Sequence, residues 1–287
     1  VVLGLGRLGA GELTPSSDLD LILLYDRPED AGPSVGARSL DPVTWHVRFT
    51  QRLVAALTVP TRRGTLYQVD MRLRPTGNKS PAATQFAGFE AYHQGDAEIW
   101  EEMALTRARV VAGDAGLARR AESAIRAILS RKREPARVAA AVAEMRALIA
   151  REKGEKDPWD LKLAAGGLTD LDFLAQFLLL AHASAHPSLI VNDTASVFAA
   201  ARAAGLLSEA DASALLEAHR LIGDVQLWQR FTVEEAFDPK AVPARVLQRI
   251  ATAVGRPDVK VLKAELDEVR AGVRAIFTRV IGQARAG

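Results

Sequence analysis

The chain of 287 residues contains no cysteine. Disulfide bonds, thiol catalysis and thiolate metal ligands are therefore excluded, so a bound metal ion would need oxygen or imidazole ligands. This composition is compatible with a reducing compartment, and we expect a cytoplasmic protein.

Long apolar runs are also missing. No run approaches the roughly 20 residues of a transmembrane helix, so no membrane segment is predicted. The chain opens on Val1 inside a predicted strand without a signal peptide, as an excised domain would. The formal net charge is only +2. Because a global positive field is lacking, a nucleic-acid partner is not expected.

The apolar periodicity changes near residue 115. Before it, short apolar runs alternate with turns that contain glycine and proline, which predicts strands at 1–5, 19–25 and 66–73 and a helix at 43–57. After it, apolar residues recur at helical spacing. The predicted fold class is α+β, with a mixed-sheet domain, truncated at its N-terminus, at 1–115 and an all-α helical bundle at 116–287.

Two aspartates lie at the start of the most apolar predicted strand. In the run Ser17-Asp18-Leu19-Asp20, strand alternation puts Asp18 and Asp20 on one face. Neighbouring carboxylates repel each other and require a cation or a shared proton, and Mg²⁺ prefers such oxygen ligands. The alternative is that both side chains only end the strand and cap a turn, as an isolated Asp-x-Asp often does.

A second ionic face is predicted on the strand at 66–73. Alternation sends Asp70, Arg72 and Arg74 to one side and apolar side chains to the other. Beside the first acidic strand, Asp70 would be a third carboxylate for a metal, and the two guanidiniums would bind triphosphate oxygens. The alternative is a half-exposed strand with an Asp–Arg ladder.

Three glycines, Gly6, Gly9 and Gly11, follow the first predicted strand. Glycine lets the backbone approach a phosphate closely. Their order matches neither the Walker loop nor the dinucleotide-binding fingerprint, and a plain tight turn is the alternative.

Together these three segments resemble the nucleotidyltransferase superfamily of the DNA polymerase β type. Leu5-Gly6-Arg7, Asp18-Leu19-Asp20 and Asp70 match its signature in order and spacing. Arg7 stands where many members have Gly or Ser at the terminal phosphate. A guanidinium could serve the same phosphate.

Longer motifs resemble one family of that superfamily, the glutamine synthetase adenylyltransferases, over nearly the whole chain. The matching segments are Gly6-Arg7-Leu8-Gly9, Ser17-Asp18-Leu19-Asp20-Leu21, Val69-Asp70-Met71-Arg72-Leu73-Arg74-Pro75, Trp100-Glu101, Arg107-Ala108-Arg109, Asp160-Leu161-Lys162 and Gly166-Gly167-Leu168-Thr169-Asp170. These bifunctional bacterial enzymes carry two homologous halves, and residues 100–114 are more similar to the C-terminal, adenylylating half. Asp172 stands where the family would have Glu.

The resemblance implies transfer of AMP from ATP to a tyrosine of glutamine synthetase, which regulates nitrogen assimilation. Asp18 and Asp20 would hold two Mg²⁺ ions, and Asp70 would share one of them and help to deprotonate the acceptor. The implied nucleotide contacts are Gly6, Arg7, Ser17, Arg72, Arg74 and Lys162. The PII signal protein would be a regulator.

Three alternatives remain open from the sequence. One is the deadenylylating half of the same enzyme, which removes AMP by phosphorolysis. Another is a PII-type uridylyltransferase, whose glycine-rich and Ser-Asp-x-Asp segments are similar. The last is an inactive module that only docks glutamine synthetase or PII, although the three aspartates argue against it.

Overall fold

The computed structural model describes residues 1–15, 17–28, 30–153, 159–232, 237–238 and 240–286. The chain divides into two compact units, Val1–Leu129 and Ser130–Gly287. The domain boundary expected after residue 115 stays a prediction. In the described ranges, no helix is both long and apolar enough to cross a bilayer.

Short strands and helices alternate in the first unit. They are β1 (Val2–Gly4), α1 (Gly6–Ala10), β2 (Leu19–Tyr25), α2 (Pro42–Thr58), β3 (Pro60–Thr61), β4 (Gly64–Thr65), β5 (Val69–Asp70), β6 (Ala83–Gln85), α3 (Phe86–Gly95), α4 (Ile99–Leu105), β7 (Arg109–Ala112) and α5 (Ala115–Leu129). In the main sheet β1 pairs antiparallel with β2 and with β7, whereas β5 and β6 pair parallel with β2. β3 and β4 form a separate hairpin. Helices with a small mixed sheet are compatible with the predicted α+β class.

The core of this unit is built around β2. Residues 21–25 are all buried, as expected of a strand covered on both faces. Leu53 and Leu57 of α2 and Val69 of β5 pack against a cluster formed by Leu19, Leu21 and Leu23. This packing fixes the start of β2, from which Asp20 projects.

The strand predicted at 66–73 is confirmed only at Val69–Asp70 and is wrong for the residues on either side. Within this segment only β5 is a strand, and it pairs with β2, with Leu19 opposite Val69 and Asp20 opposite Asp70. The Oδ1 atom of Asp70 accepts a hydrogen bond from the backbone N of Arg72 at 2.8 Å. Such a side-chain turn competes with strand pairing. Strand alternation therefore no longer sets where Arg72 and Arg74 point.

Helices and turns make up the described part of the second unit. The helices are α6 (Pro135–Lys153), α7 (Leu168–His182), α8 (Thr194–Ala203), α9 (Glu209–Thr232), α10 (Ala244–Ala253) and α11 (Val259–Ala286). Most of α7 is buried, and it contacts α6, α8, α9 and α11. A helix that is apolar all round is typical of the centre of a bundle.

A buried ionic cluster joins three helices of this unit. Asp170, in the first turn of α7, is fully buried and forms ion pairs with Arg146 of α6 and Arg274 of α11. Its Oδ2 atom also accepts a hydrogen bond from the backbone N of Gly166 at 2.7 Å. The loop that leads into α7 is thereby tied to its neighbours.

Candidate functional site

Asp20 and Asp70 stand side by side in the first unit. They are register partners on the parallel strands β2 and β5, and neighbouring partners project from the same face of a sheet. The backbone on the other side of Asp20 is also fixed, because its carbonyl O accepts a hydrogen bond from the N of Leu5 at 2.9 Å. The structure therefore brings together two of the three carboxylates predicted from the sequence.

Gly6 lies against the carboxylate of Asp20. Its φ angle is +51°, and a Cβ atom at this position would lie 2.3 Å from Oδ2 of Asp20. Only glycine satisfies both the backbone angle and this close approach. The alternative of a plain tight turn is wrong for this segment, because a short helix, α1, begins at Gly6.

A second glycine brings α1 close to another part of the backbone. A Cβ atom at Gly9 would lie 1.7 Å from the carbonyl O of Arg107. The glycines of this segment therefore serve close packing within the unit as well as access to Asp20.

The guanidinium of Arg72 is the positive charge beside these aspartates. Its Nε atom lies 2.8 Å and 3.0 Å from the two carboxylate oxygens of Asp70. This bonding lowers the pKa of Asp70, and it raises the pKa of Arg72 with smaller contributions from Asp20 and Asp18. All three aspartates thus act electrostatically on one exposed guanidinium.

The three-carboxylate metal set predicted from the sequence is not assembled in this conformation. Among the described residues, no three or more Asp, Glu, His or Cys side chains are grouped to hold a metal ion. Asp70 is bonded to Arg72, and Asp18 is exposed just before β2 begins. The donor chemistry still fits a hard divalent cation, because all three side chains offer carboxylate oxygens and Asp20 and Asp70 are register partners.

Thr14 links two of the predicted phosphate-binding residues. Nη1 of Arg7 donates to Oγ1 of Thr14 at 3.1 Å, and Oγ1 of Thr14 lies 2.9 Å from Oγ of Ser17. The backbone N of Thr14 also donates to Oγ of Ser17 at 3.0 Å. Sequence reasoning missed Thr14, and its only signal was a hydroxyl residue three positions before Ser17.

Arg74 is buried and its guanidinium is engaged by the main chain. It donates to the carbonyl O atoms of Met71, Ser80 and Pro81 at 2.6, 3.0 and 3.1 Å. Its pKa is lowered by desolvation. These bonds occupy three of the five guanidinium N–H groups and close the turn after β5. The phosphate contact expected of Arg74 stays a prediction, and a phosphate would compete with these three carbonyl groups for the guanidinium.

Lys162 and Asp172 lie in the second unit. Lys162 is exposed, and its backbone N donates to Oδ1 of Asp160 at 3.2 Å. Its contact with a nucleotide stays a prediction. Oδ1 of Asp172 accepts a hydrogen bond from the hydroxyl of Thr194 at 2.9 Å, which joins α7 to the start of α8.

Two family models match separate stretches of the chain. Residues 1–124 match the model described as glutamate-ammonia ligase adenylyltransferase. Residues 141–281 match the model described as GlnD PII-uridylyltransferase. The aspartates, Gly6, Arg7 and Arg72 all lie in the first of these stretches.

Curated relatives are similar to almost the whole chain. Proteins from Rhodopseudomonas palustris and Xanthobacter autotrophicus are each 46% identical over 281 residues, and one from Bradyrhizobium diazoefficiens is 43% identical over 280 residues. Each carries the name bifunctional glutamine synthetase adenylyltransferase/adenylyl-removing enzyme. The matches cover 98% of this chain but only 28% of the length of the relatives.

Proposed function

This chain is homologous over nearly its whole length to the bifunctional glutamine synthetase adenylyltransferase/adenylyl-removing enzymes, and we propose that it transfers AMP from ATP to a tyrosine of glutamine synthetase with release of pyrophosphate. The pairing of Asp20 with Asp70 against Gly6 is the observation that carries the proposal. We further propose a polymerase-β-like nucleotidyltransferase domain at 1–115, a helical domain at 116–287, and correspondence to the adenylylating half.

We assign the divalent cations of this reaction to Asp18, Asp20 and Asp70. Mg²⁺ held by these oxygens would neutralise charge on the phosphates of ATP. Asp70 would share one of these ions and help to deprotonate the acceptor tyrosine, whose free hydroxyl has a pKa of about 10 and is a weak nucleophile at neutral pH.

The remaining residues orient the nucleotide, because phosphoryl-type transfer depends chiefly on positioning and electrostatic stabilisation. Arg7 and Ser17, held through Thr14, bind the terminal phosphates. The backbone at Gly6 gives the phosphates close access to Asp20. Arg72 is exposed, so it can turn from Asp70 to a phosphate when a metal ion takes its place.

We expect Arg72→Gln to bind Mn²⁺ about threefold more tightly than the unchanged protein. The guanidinium and a metal ion compete for Asp70, but an exposed ion pair is worth little, so the gain is small. Titration followed by the electron paramagnetic resonance signal of free Mn²⁺ measures the affinity. Arg62→Gln, which removes a charge outside the aspartate group, should leave the affinity unchanged. Weaker Mn²⁺ binding by Arg72→Gln would contradict this competition.

Gly6→Ala should slow AMP transfer by at least about tenfold. Its methyl group would push the carboxylate of Asp20 aside, and small misplacements of reacting groups are costly. Gly11→Ala is the matched control, because Gly11 also has a positive φ angle, +76°, but a Cβ atom there meets no neighbour within 4 Å. Both variants should lose thermal stability from the strained φ angle, Gly6→Ala more because of its contact with Asp20, and only Gly6→Ala should lose activity. Equal activities would show that Gly6 does not position Asp20.

The proposed function is tested with radiolabelled nucleotides. The chain is incubated with Mg²⁺, ATP and unmodified glutamine synthetase, and separately with phosphate and adenylylated glutamine synthetase. We expect label to appear on glutamine synthetase in the first reaction. Release of ADP, formed from the AMP group and phosphate, in the second reaction alone would instead identify the deadenylylating activity.

Uridylyl transfer to PII is the second candidate function, favoured by the match of residues 141–281. It is weaker, because the nucleotide-site residues lie in the stretch that matches the adenylyltransferase model. Labelled UTP with PII as acceptor separates the two activities. If PII is instead a regulator, as we propose, it should change the rate of AMP transfer without becoming labelled.

A further inference from the structure

α2 has two faces of different character. Thr50 on one face is buried, and Leu53 and Leu57 pack against the β2 cluster. The opposite face, which we call the α2 outer face, consists of Trp45, Arg48, Phe49 and Arg52, all of them exposed. Their spacing of three and four residues places them side by side along the helix.

Two aromatic rings form the apolar part of the α2 outer face. Trp45 is 42% exposed and Phe49 is 51% exposed. Their rings are stacked, with centroids 5.6 Å apart and an angle of 3° between the planes. Exposed aromatic pairs of this kind beside arginines have the composition of protein interfaces, in which Trp, Phe and Arg are enriched.

The charge of this region has one sign. Residues 42–69 contain four arginines, Arg48, Arg52, Arg62 and Arg63, and no aspartate or glutamate. No ion pair joins Arg48 or Arg52 to any residue within the described ranges. The β3–β4 hairpin, which carries the exposed Arg62 and Arg63, follows α2 directly. A partner that complements this surface must be acidic.

We propose that the α2 outer face docks an acidic segment of the protein substrate that also carries apolar side chains. The proposal rests on the proposed function for the identity of that substrate, glutamine synthetase. A polypeptide fits better than single-stranded nucleic acid, because Trp45 and Phe49 cover one face of each other and leave fewer ring faces for bases. Aliphatic Val59 and Leu66 nearby in the chain are also more than half exposed and suit side chains rather than bases.

The test measures binding of unmodified glutamine synthetase to the immobilised 287-residue chain without nucleotide, at low and at physiological ionic strength. The variants are Arg48→Glu/Arg52→Glu and Trp45→Ala/Phe49→Ala. The matched control is Arg245→Glu/Arg249→Glu, which reverses two exposed charges at the same i,i+4 spacing on α10. Circular dichroism verifies that each variant is folded. Arg48→Lys/Arg52→Lys replaces the same two side chains but keeps their charge, so the comparison still holds if the charge reversal disturbs the helix.

We expect salt-sensitive binding whose Kd rises about tenfold or more in both α2 variants and stays unchanged in the control and in the lysine variant. The docking proposal would be overturned if no binding were found, if the α10 control lost as much affinity, or if Kd were unchanged in the glutamate and alanine variants of α2. Tighter binding of single-stranded DNA to this face would also overturn it. A dimer that both α2 variants dissociate would also overturn it, since a second copy would then cover the face.

AMP transfer measured in parallel keeps the two proposals separable. Binding of glutamine synthetase that depends on the α2 outer face, without AMP transfer, would contradict only the proposed function. AMP transfer together with unchanged affinity for glutamine synthetase in the glutamate and alanine variants of α2 would contradict only the docking proposal.

Discussion

Asp20→Asn should lower the rate of AMP transfer to glutamine synthetase by about a thousandfold. Asparagine keeps the size of the side chain and a neutral oxygen, but it removes a charge that, under the proposed metal assignment, holds divalent cations at the phosphates. Loss of metal-centred charge stabilisation is worth several kcal/mol of barrier, and each 1.4 kcal/mol or so is a factor of ten. The rate is measured with labelled ATP at saturating Mg²⁺, so that weaker metal binding does not limit it. The assay is then repeated with Mn²⁺ to separate weaker metal binding from slower transfer.

Asp26→Asn is the matched control for this variant. Asp26 follows the other end of β2 and pairs with Arg120, outside the candidate site. It should retain the rate of the unchanged protein within about twofold, because surface ion pairs contribute little. Circular dichroism of both variants should show unchanged helix content. A fully active, folded Asp20→Asn would disprove the metal assignment.

The position of Asp20 beside Asp70 could be predicted from the sequence in part. The apolar run after Asp20 predicts a buried strand, and the predicted strand at 66–73 would bring Asp70 beside Asp20 only if the two strands paired, a condition that the pairing of β5 with β2 supplies. The three glycines likewise indicated close backbone approach, although the structure adds its specific cause, the contact of Gly6 with the Asp20 carboxylate.

The directions of Arg72 and Arg74 could not be predicted from strand alternation. The chain leaves the sheet directly after Asp70, because the Asp70 side chain bonds to the backbone N of Arg72. Alternation then fails for the next residues, and Arg74 turns into three carbonyl groups instead of toward the aspartates. The side-chain turn at Asp70 thus ends the strand that the alternating pattern of residues 66–73 predicts.

The role of Asp170 was equally hidden, because its partners are distant in sequence. Helix capping and a favourable interaction with the helix dipole explain an acidic residue in the first turn of a helix, so its presence in the sequence does not indicate a charged side-chain partner. Its partners Arg146 and Arg274 lie 24 and 104 residues away. Charge pairs at such separations leave no periodic signal in one sequence.

Asp170→Asn should destabilise the second unit by about 3–5 kcal/mol. Arg146 is 3% exposed and would keep a buried charge without its carboxylate partner, and removing one member of a buried pair typically costs this much. The hydrogen bond from the N of Gly166 can survive on the amide oxygen, so the loss comes mainly from the uncompensated guanidinium. Urea unfolding followed by circular dichroism measures the change in the free energy of unfolding.

Asp224→Asn separates this effect from the loss of an ordinary ion pair. Asp224 pairs with Arg220 across one turn of α9, and both side chains are more than half exposed. Solvent screens such a pair, so its loss should cost at most about 0.5 kcal/mol. Loss of less than about 1 kcal/mol in Asp170→Asn would mean that water reaches Arg146 when its partner is neutral. If the predicted loss of about 3–5 kcal/mol is found, the double variant Arg146→Met/Asp170→Asn should recover stability relative to Asp170→Asn, since it removes the stranded charge itself.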